Sequence, residues 1–140
     1  MPETFVVDCS VAAKWVLPEP DRAAALRLLE RFESGEVSLI APDLIHVEFA
    51  SLLAKRHRRK QISQEQAREA FHLLAQCPVR LFATPQQLPG ALDLSLQHQL
   101  SLWDCVYLGL ALERDCAFLT ADQRLFRGGT GRHPSLRLLR

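Results

Sequence analysis

The sequence of 140 residues has no Cys-x-x-Cys pair, no His/Cys cluster, no low-complexity tract and no internal repeat. Structural zinc sites and dithiol redox motifs are thereby excluded, and Cys9, Cys77, Cys105 and Cys116 read as free, buried thiols. Its longest apolar runs, such as Leu108-Gly109-Leu110-Ala111-Leu112, fall far short of the ~20 residues a membrane span requires. The N-terminus lacks a basic segment followed by a long apolar one, so a cytoplasmic protein with no membrane association is expected. His46, His57, His72, His98 and His133 show no metal-ligand spacing. The Gly128-Gly129-Thr130-Gly131 loop lacks the lysine and the strand–loop–helix context of a phosphate-binding loop and reads as a flexible connector.

What remains is ordinary globular material, 48% apolar and 24% charged, of a length that fits one domain over residues 1–140. A net charge of +1 hides local asymmetry: residues 55–60 form a basic run, and Arg124, Arg127, Arg132, Arg137 and Arg140 follow Asp122 with no acid among them. The β-branched and aromatic run 4–8 predicts a strand buried on both faces, with Asp8 at its carboxyl end. Ser10 is expected to cap a short helix to about Leu17, and Asp21 a second over 22–32. Val37 to Ile40 predicts a strand, and Asp43 opens a helix carrying Leu44, Ile45, Phe49, Leu52 and Leu53 on one face. Ser63 and Gln66 form a capping box for the next helix, which ends near Cys77-Pro78. Strands are expected at 79–82, 117–120 and 136–139, and helices at 86–97 and 103–114. Strands alternating with one or two helices predict a three-layer α/β/α sandwich around a central parallel sheet of four to five strands. Sites in such sheets lie at the carboxyl ends of the strands, where both Asp8 and Asp122 fall.

Glu48 is the telling residue. It is i+4 from Leu44, i+3 from Ile45 and i−4 from Leu52, within the stripe that must face the sheet. A desolvated carboxylate there must be protonated, paired with a base or bound to a cation. Asp104 opens a helix that is otherwise almost wholly apolar. Four converging acids repel one another unless a hard cation such as Mg²⁺ or Mn²⁺ reverses the balance. Each also has a local alternative: Ser101 and Asp104 match a capping box, Asp122 a turn or cap, Asp8 a helix cap, and Glu48 a buried pair with an arginine.

Val6-Val-Asp8-Cys-Ser10-Val-Ala-Ala-Lys-Trp15, Pro42-x5-Glu48, Trp103-Asp104-x-x-Tyr107-Leu-x-Leu-Ala111 and Leu119-Thr-Ala-Asp122-Gln-Arg-Leu125 resemble the PIN-domain family, especially the VapC-like toxins of toxin–antitoxin pairs. The resemblance covers nearly the whole chain. It implies a PIN-like parallel sheet, an Mg²⁺- or Mn²⁺-dependent endoribonuclease site and a cognate antitoxin protein as partner. By position, Asp8, Glu48 and Asp104 match the core acids, Asp122 the more variable fourth, and Ser10 and Thr120 the hydroxyls that orient carboxylates or waters. Cys9 and Cys105 depart from the small residues often found there.

Arg124 and Arg127 are expected to hold the RNA backbone beside the last acid. Trp15 and Trp103 are read as core or interface, and the basic run 55–60 as complementing a helix C-terminus. Apolar faces on the helices at 22–32 and 43–53 exceed what one small sheet needs, and a homodimer is expected. The competing functional expectation is a non-catalytic PIN-like scaffold that binds RNA or protein. Phosphoryl transfer through a phospho-aspartate expects another acid two residues after Asp8, where Ser10 stands.

Overall fold

The computed structural model describes residues 2–128 and 133–140. Most of the Gly128-Gly129-Thr130-Gly131 loop, together with Arg132, lies outside the described residues. Chain order is β1 (Glu3–Val7), α1 (Cys9–Val16), α2 (Ala23–Glu33), β2 (Val37–Pro42), α3 (Leu44–Arg58), α4 (Gln64–Gln76), β3 (Arg80–Phe82), α5 (Thr84–His98), α6 (Leu102–Glu113), β4 (Ala117–Thr120), α7 (Gln123–Arg127) and β5 (Leu136–Leu138).

The strands lie in the order β3-β2-β1-β4-β5, every neighbouring pair parallel. Val6, Val7 and Phe118 are fully buried, and Leu39 nearly so, because the central strands are covered on both faces; this is why β1 and β4 read as continuous apolar runs rather than alternating ones. From β1 the chain steps outward to β2 and β3, then returns past β1 to lay down β4 and β5. Right-handed crossovers in opposite directions put helices on both faces. Accordingly α1 packs on α2, α3 and α4, whereas α5 packs on α6, and α6 on β1, β2 and β4. The reversal of direction falls between β1 and β4. Val7 pairs with Leu119 there, so Asp8 and Thr120 emerge side by side at the carboxyl rim.

Several helix starts differ from the sequence expectations for physical reasons. Asp8, rather than Ser10, caps α1: it has extended backbone and accepts the Val11 N–H. Asp21 does not cap α2; it takes a left-handed φ of 57° in the turn after Pro20. Asp43 precedes α3 but turns its Oδ1 to the backbone N–H and hydroxyl of Thr84, whose own Oγ1 accepts the Leu44 N–H. The starts of α3 and α5 are thereby stapled together. At α4 the capping box is complete: Ser63 Oγ accepts the Gln66 N–H at 3.1 Å and Gln66 Oε1 accepts the Ser63 N–H at 2.8 Å. Ser63→Ala is expected to lower stability by about 1 kcal/mol, read as a shift of the urea midpoint with unchanged slope.

The core draws on all layers, with Phe49, Tyr107, Phe118 and Leu108 among its largest fully enclosed side chains. Trp15 belongs to it, its indole N–H donating to the Ala25 carbonyl. The four cysteines are free thiols, Cys105 buried and the others half-buried. No helix among the described residues is long and apolar enough to cross a membrane.

Candidate active site

The carboxyl rim of β1 and β4 carries the acids. Asp8 leaves β1 and is 8% exposed. Its Oδ1 accepts the Ser10 hydroxyl at 2.6 Å and the Val11 N–H at 3.2 Å, and its Oδ2 accepts the Thr120 hydroxyl at 2.6 Å. Ser10 Oγ in turn accepts the Ala121 N–H, and Thr120 Oγ1 the Asp122 N–H. The two hydroxyls lie 3.2 Å apart and form a bridge from the start of α1 to the end of β4. Burial pushes the Asp8 carboxyl from 3.8 up to about 6, against the lowering effect of its three hydrogen bonds, with a further push from the charge of Asp104.

Glu48 lies one turn into α3, half-buried, between the buried Ile45 and Phe49. Its Oε1 accepts the Tyr107 hydroxyl at 2.5 Å, so its partner is a phenol rather than the arginine considered from sequence. Its pKa is raised, first by burial and then by the charges of Asp8 and Asp104, with the tyrosine bond opposing. Asp104, also half-buried, is raised by burial and by Asp122. Ser101 caps α6: its Oγ accepts the Asp104 N–H and donates to the Asp104 Oδ2, whereas the reciprocal bond of the expected capping box, from the Ser101 N–H to the Asp104 carboxylate, is not formed. Asp122 is exposed and caps α7, accepting the N–H groups of Arg124 and Arg127's near neighbour Leu125.

Asp8, Glu48 and Asp104 thus sit within one another's field, with Asp122 beside Asp104, and the ion pairs among the described residues involve none of the four. Like charges crowded at a partly dry rim are costly unless a cation joins them. An all-oxygen donor set of carboxylates and hydroxyls suits Mg²⁺ or Mn²⁺. As the side chains lie, no three His, Cys, Asp or Glu among the described residues stand close enough to grip one ion. The oxygen chemistry of the donors fits the ion, although their placement as it stands does not enclose one.

Arg124 and Arg127 are exposed on α7, immediately past Asp122, and Trp103 is 57% exposed beside Asp104. The basic run behaves as helix-end charge: Lys55, Arg56 and Arg58 occupy the last turn of α3, and Arg56 pairs with Glu19. The contribution of Tyr107 was not drawn from sequence. Its position i+3 from Asp104, on a helix buried on most sides, carried the only available signal, since a buried phenol needs a partner. Burial, followed by the charge of Glu48, pushes its ionisation well above the ordinary range and keeps it a donor.

A family model described as the PIN domain matches residues 5–129. Ribonuclease VapC3 of Mycobacterium tuberculosis is 29% identical over 132 residues, which cover 94% of this chain and 92% of that protein. Among solved structures, PAE2754 from Pyrobaculum aerophilum superposes with a TM-score of 0.73 at 16% identity, covering 99% of this chain and 92% of the other. VapBC2 from Rickettsia felis, bound to a DNA fragment from its promoter, gives 0.69 at 12% identity with 96% of each chain covered. At these identities the two structures speak to the fold alone, and the fold is the three-layer α/β/α sandwich described above.

Proposed function

Because the chain belongs to the PIN-domain family, we propose that it is a metal-dependent endoribonuclease, the toxin of a toxin–antitoxin pair, whose ion is held by Asp8, Glu48, Asp104 and Asp122. What supports this reading is that the charges of Asp8 and Asp104 both raise the proton affinity of Glu48, and that of Asp104 raises Asp8, with no basic side chain among the described residues paired to them. Similarity to Ribonuclease VapC3 supports RNA as the substrate, and the antitoxin partner is part of the same proposal.

A bound Mg²⁺ or Mn²⁺ would polarise a phosphoryl oxygen and lower the pKa of a coordinated water. The chain's own residues do the positioning. Ser10 and Thr120 occupy one lone pair on each Asp8 oxygen and hold the carboxylate plane fixed. Ser101 does the same for Oδ2 of Asp104. Asp122 fixes the start of α7 and so places Arg124 and Arg127 beside the acids, where they take the RNA backbone. Replacing both arginines by alanine is expected to weaken RNA binding and to flatten its salt dependence by about 0.7 per lost phosphate contact on single-stranded RNA, read from affinity against salt concentration.

The direct test is a digest of defined RNAs by purified protein. Cleavage with Mg²⁺ or Mn²⁺ that stops with EDTA supports the reading; intact RNA at every metal concentration sinks it. A non-catalytic scaffold draws on one specific observation, that Asp122 caps α7 and the Asp104 carboxylate accepts the hydroxyl of Ser101, the cap of α6, so that both acids have local partners. Calorimetry separates the two readings, since the scaffold expects no Mn²⁺ binding. A homodimer belongs to the proposal on the strength of exposed Leu88, Leu92 and Leu96 at i, i+4 and i+8 on α5, and light scattering of the purified chain checks it. A cytoplasmic location follows from the same substrate.

A further inference from the structure

Tyr107 is 2% exposed on α6. Its ring stacks on Phe118 of β4 with centroids 5.5 Å apart and planes 15° from parallel, and Phe118 is itself fully buried. The phenol therefore has little freedom, and its hydroxyl meets Glu48 Oε1 at 2.5 Å, across 59 positions of sequence. No other donor among the described residues reaches Glu48, so Oε1 carries the tyrosine bond while Oε2 carries none. An O–H···O bond to a carboxylate fixes its orientation as well as contributing energy. Tyr107 also stands one helical turn beyond Asp104, so one face of α6 serves two of the acids.

The geometry points to Tyr107 as the residue that positions Glu48 for the divalent ion, tying down Oε1 so that Oε2 is the oxygen offered for ligation; this deepens the metal-binding role proposed for Glu48 and rests on it. The tyrosine does not touch substrate or ion. It acts through the carboxylate, and a purely structural tyrosine would satisfy its own hydroxyl on Glu48 without altering how the ion is held.

The chain contains a single tyrosine, so ¹³Cζ-labelled tyrosine reports on this hydroxyl alone. Titrating Mg²⁺ into the wild-type protein is expected to shift that resonance, saturating at the same concentration as calorimetric binding. Tyr107→Phe keeps the ring and its stacking and deletes only the donor. It is expected to weaken Mn²⁺ binding by about tenfold to a hundredfold, as loss of a partner to a metal ligand commonly does. A resonance that stays put at saturating Mg²⁺, or a folded Tyr107→Phe with wild-type Mn²⁺ affinity, overturns the positioning role and leaves the metal reading intact. A wild-type protein that binds no Mn²⁺ removes the metal reading, and the positioning role with it. The resonance experiment decides the question even if the variant does not fold.

Discussion

Asp8→Asn is expected to lower RNA cleavage by about a thousandfold or more while leaving the fold in place. Asparagine is as good an N-cap as aspartate, so α1 retains its start through the Val11 N–H. The amide keeps the volume and one acceptor oxygen but loses the charge that a hard cation requires. Metal-ion catalysis supplies several kcal/mol of transition-state stabilisation, and each ~1.4 kcal/mol is tenfold in rate, so about 4 kcal/mol lost is about three orders of magnitude. Single-turnover cleavage at fixed Mn²⁺ measures the effect. Full activity in this variant would exclude Asp8 from the chemistry, whereas low activity rescued by more Mn²⁺ would place the loss in affinity.

Metal-free stability is expected to fall as pH rises from about 4 to about 6, opposite to ordinary acid denaturation. Asp8 moves from 3.8 in the unfolded chain to about 6 in the folded one, chiefly through burial. The folded state therefore keeps its proton to higher pH. Between those values the unfolded chain binds fewer protons than the folded one, and the slope of stability against pH is negative. The stabilisation is whole below 3.8 and gone above about 6, which at about 1.4 kcal/mol per pH unit comes to about 3 kcal/mol for this residue. Glu48 and Asp104 are raised by the same cause and add in the same direction. Asp43 is lowered by its Thr84 bonds and works the other way, but it is exposed and screened. Urea melts in EDTA across this range test the sign. Asp8→Asn should flatten the dependence, and Mn²⁺ at a hundred times its dissociation constant should restore about 2.7 kcal/mol near neutral pH. Stability that climbs steadily with pH in EDTA would mean that the acids are not short of positive charge.

Local features were the legible ones. Phe5-Val6-Val7 ends at an acid, which marks both a buried strand and its carboxyl rim, and Ser63 with Gln66 is a complete cap within four residues. The period of Leu44, Ile45, Phe49 and Leu53 around Glu48 exposed the conflict between a carboxylate and an apolar face. Caps were harder, because Asp8, Ser10, Asp21 and Asp43 are equally able acceptors and only the backbone path chooses among them. Asp8 wins at α1 since it is the last extended residue before the helix, freeing Ser10 to bridge Asp8 and Thr120. The five-residue α7 is too short to show periodicity, so sequence allows Asp122 to be either a turn or a cap residue, and the structure makes it the cap of α7. The strand order and the Tyr107–Glu48 bond depend on residues distant in the chain, about which local pattern is silent.

Anomalous diffraction from crystals loaded with Mn²⁺ tests the shared-cation claim most directly. The predicted map has a manganese peak at the carboxyl rim between β1 and β4, bonded to Asp8 and to at least one of Glu48 and Asp104. A saturated crystal with no peak at that rim, or with manganese bound only elsewhere, contradicts it.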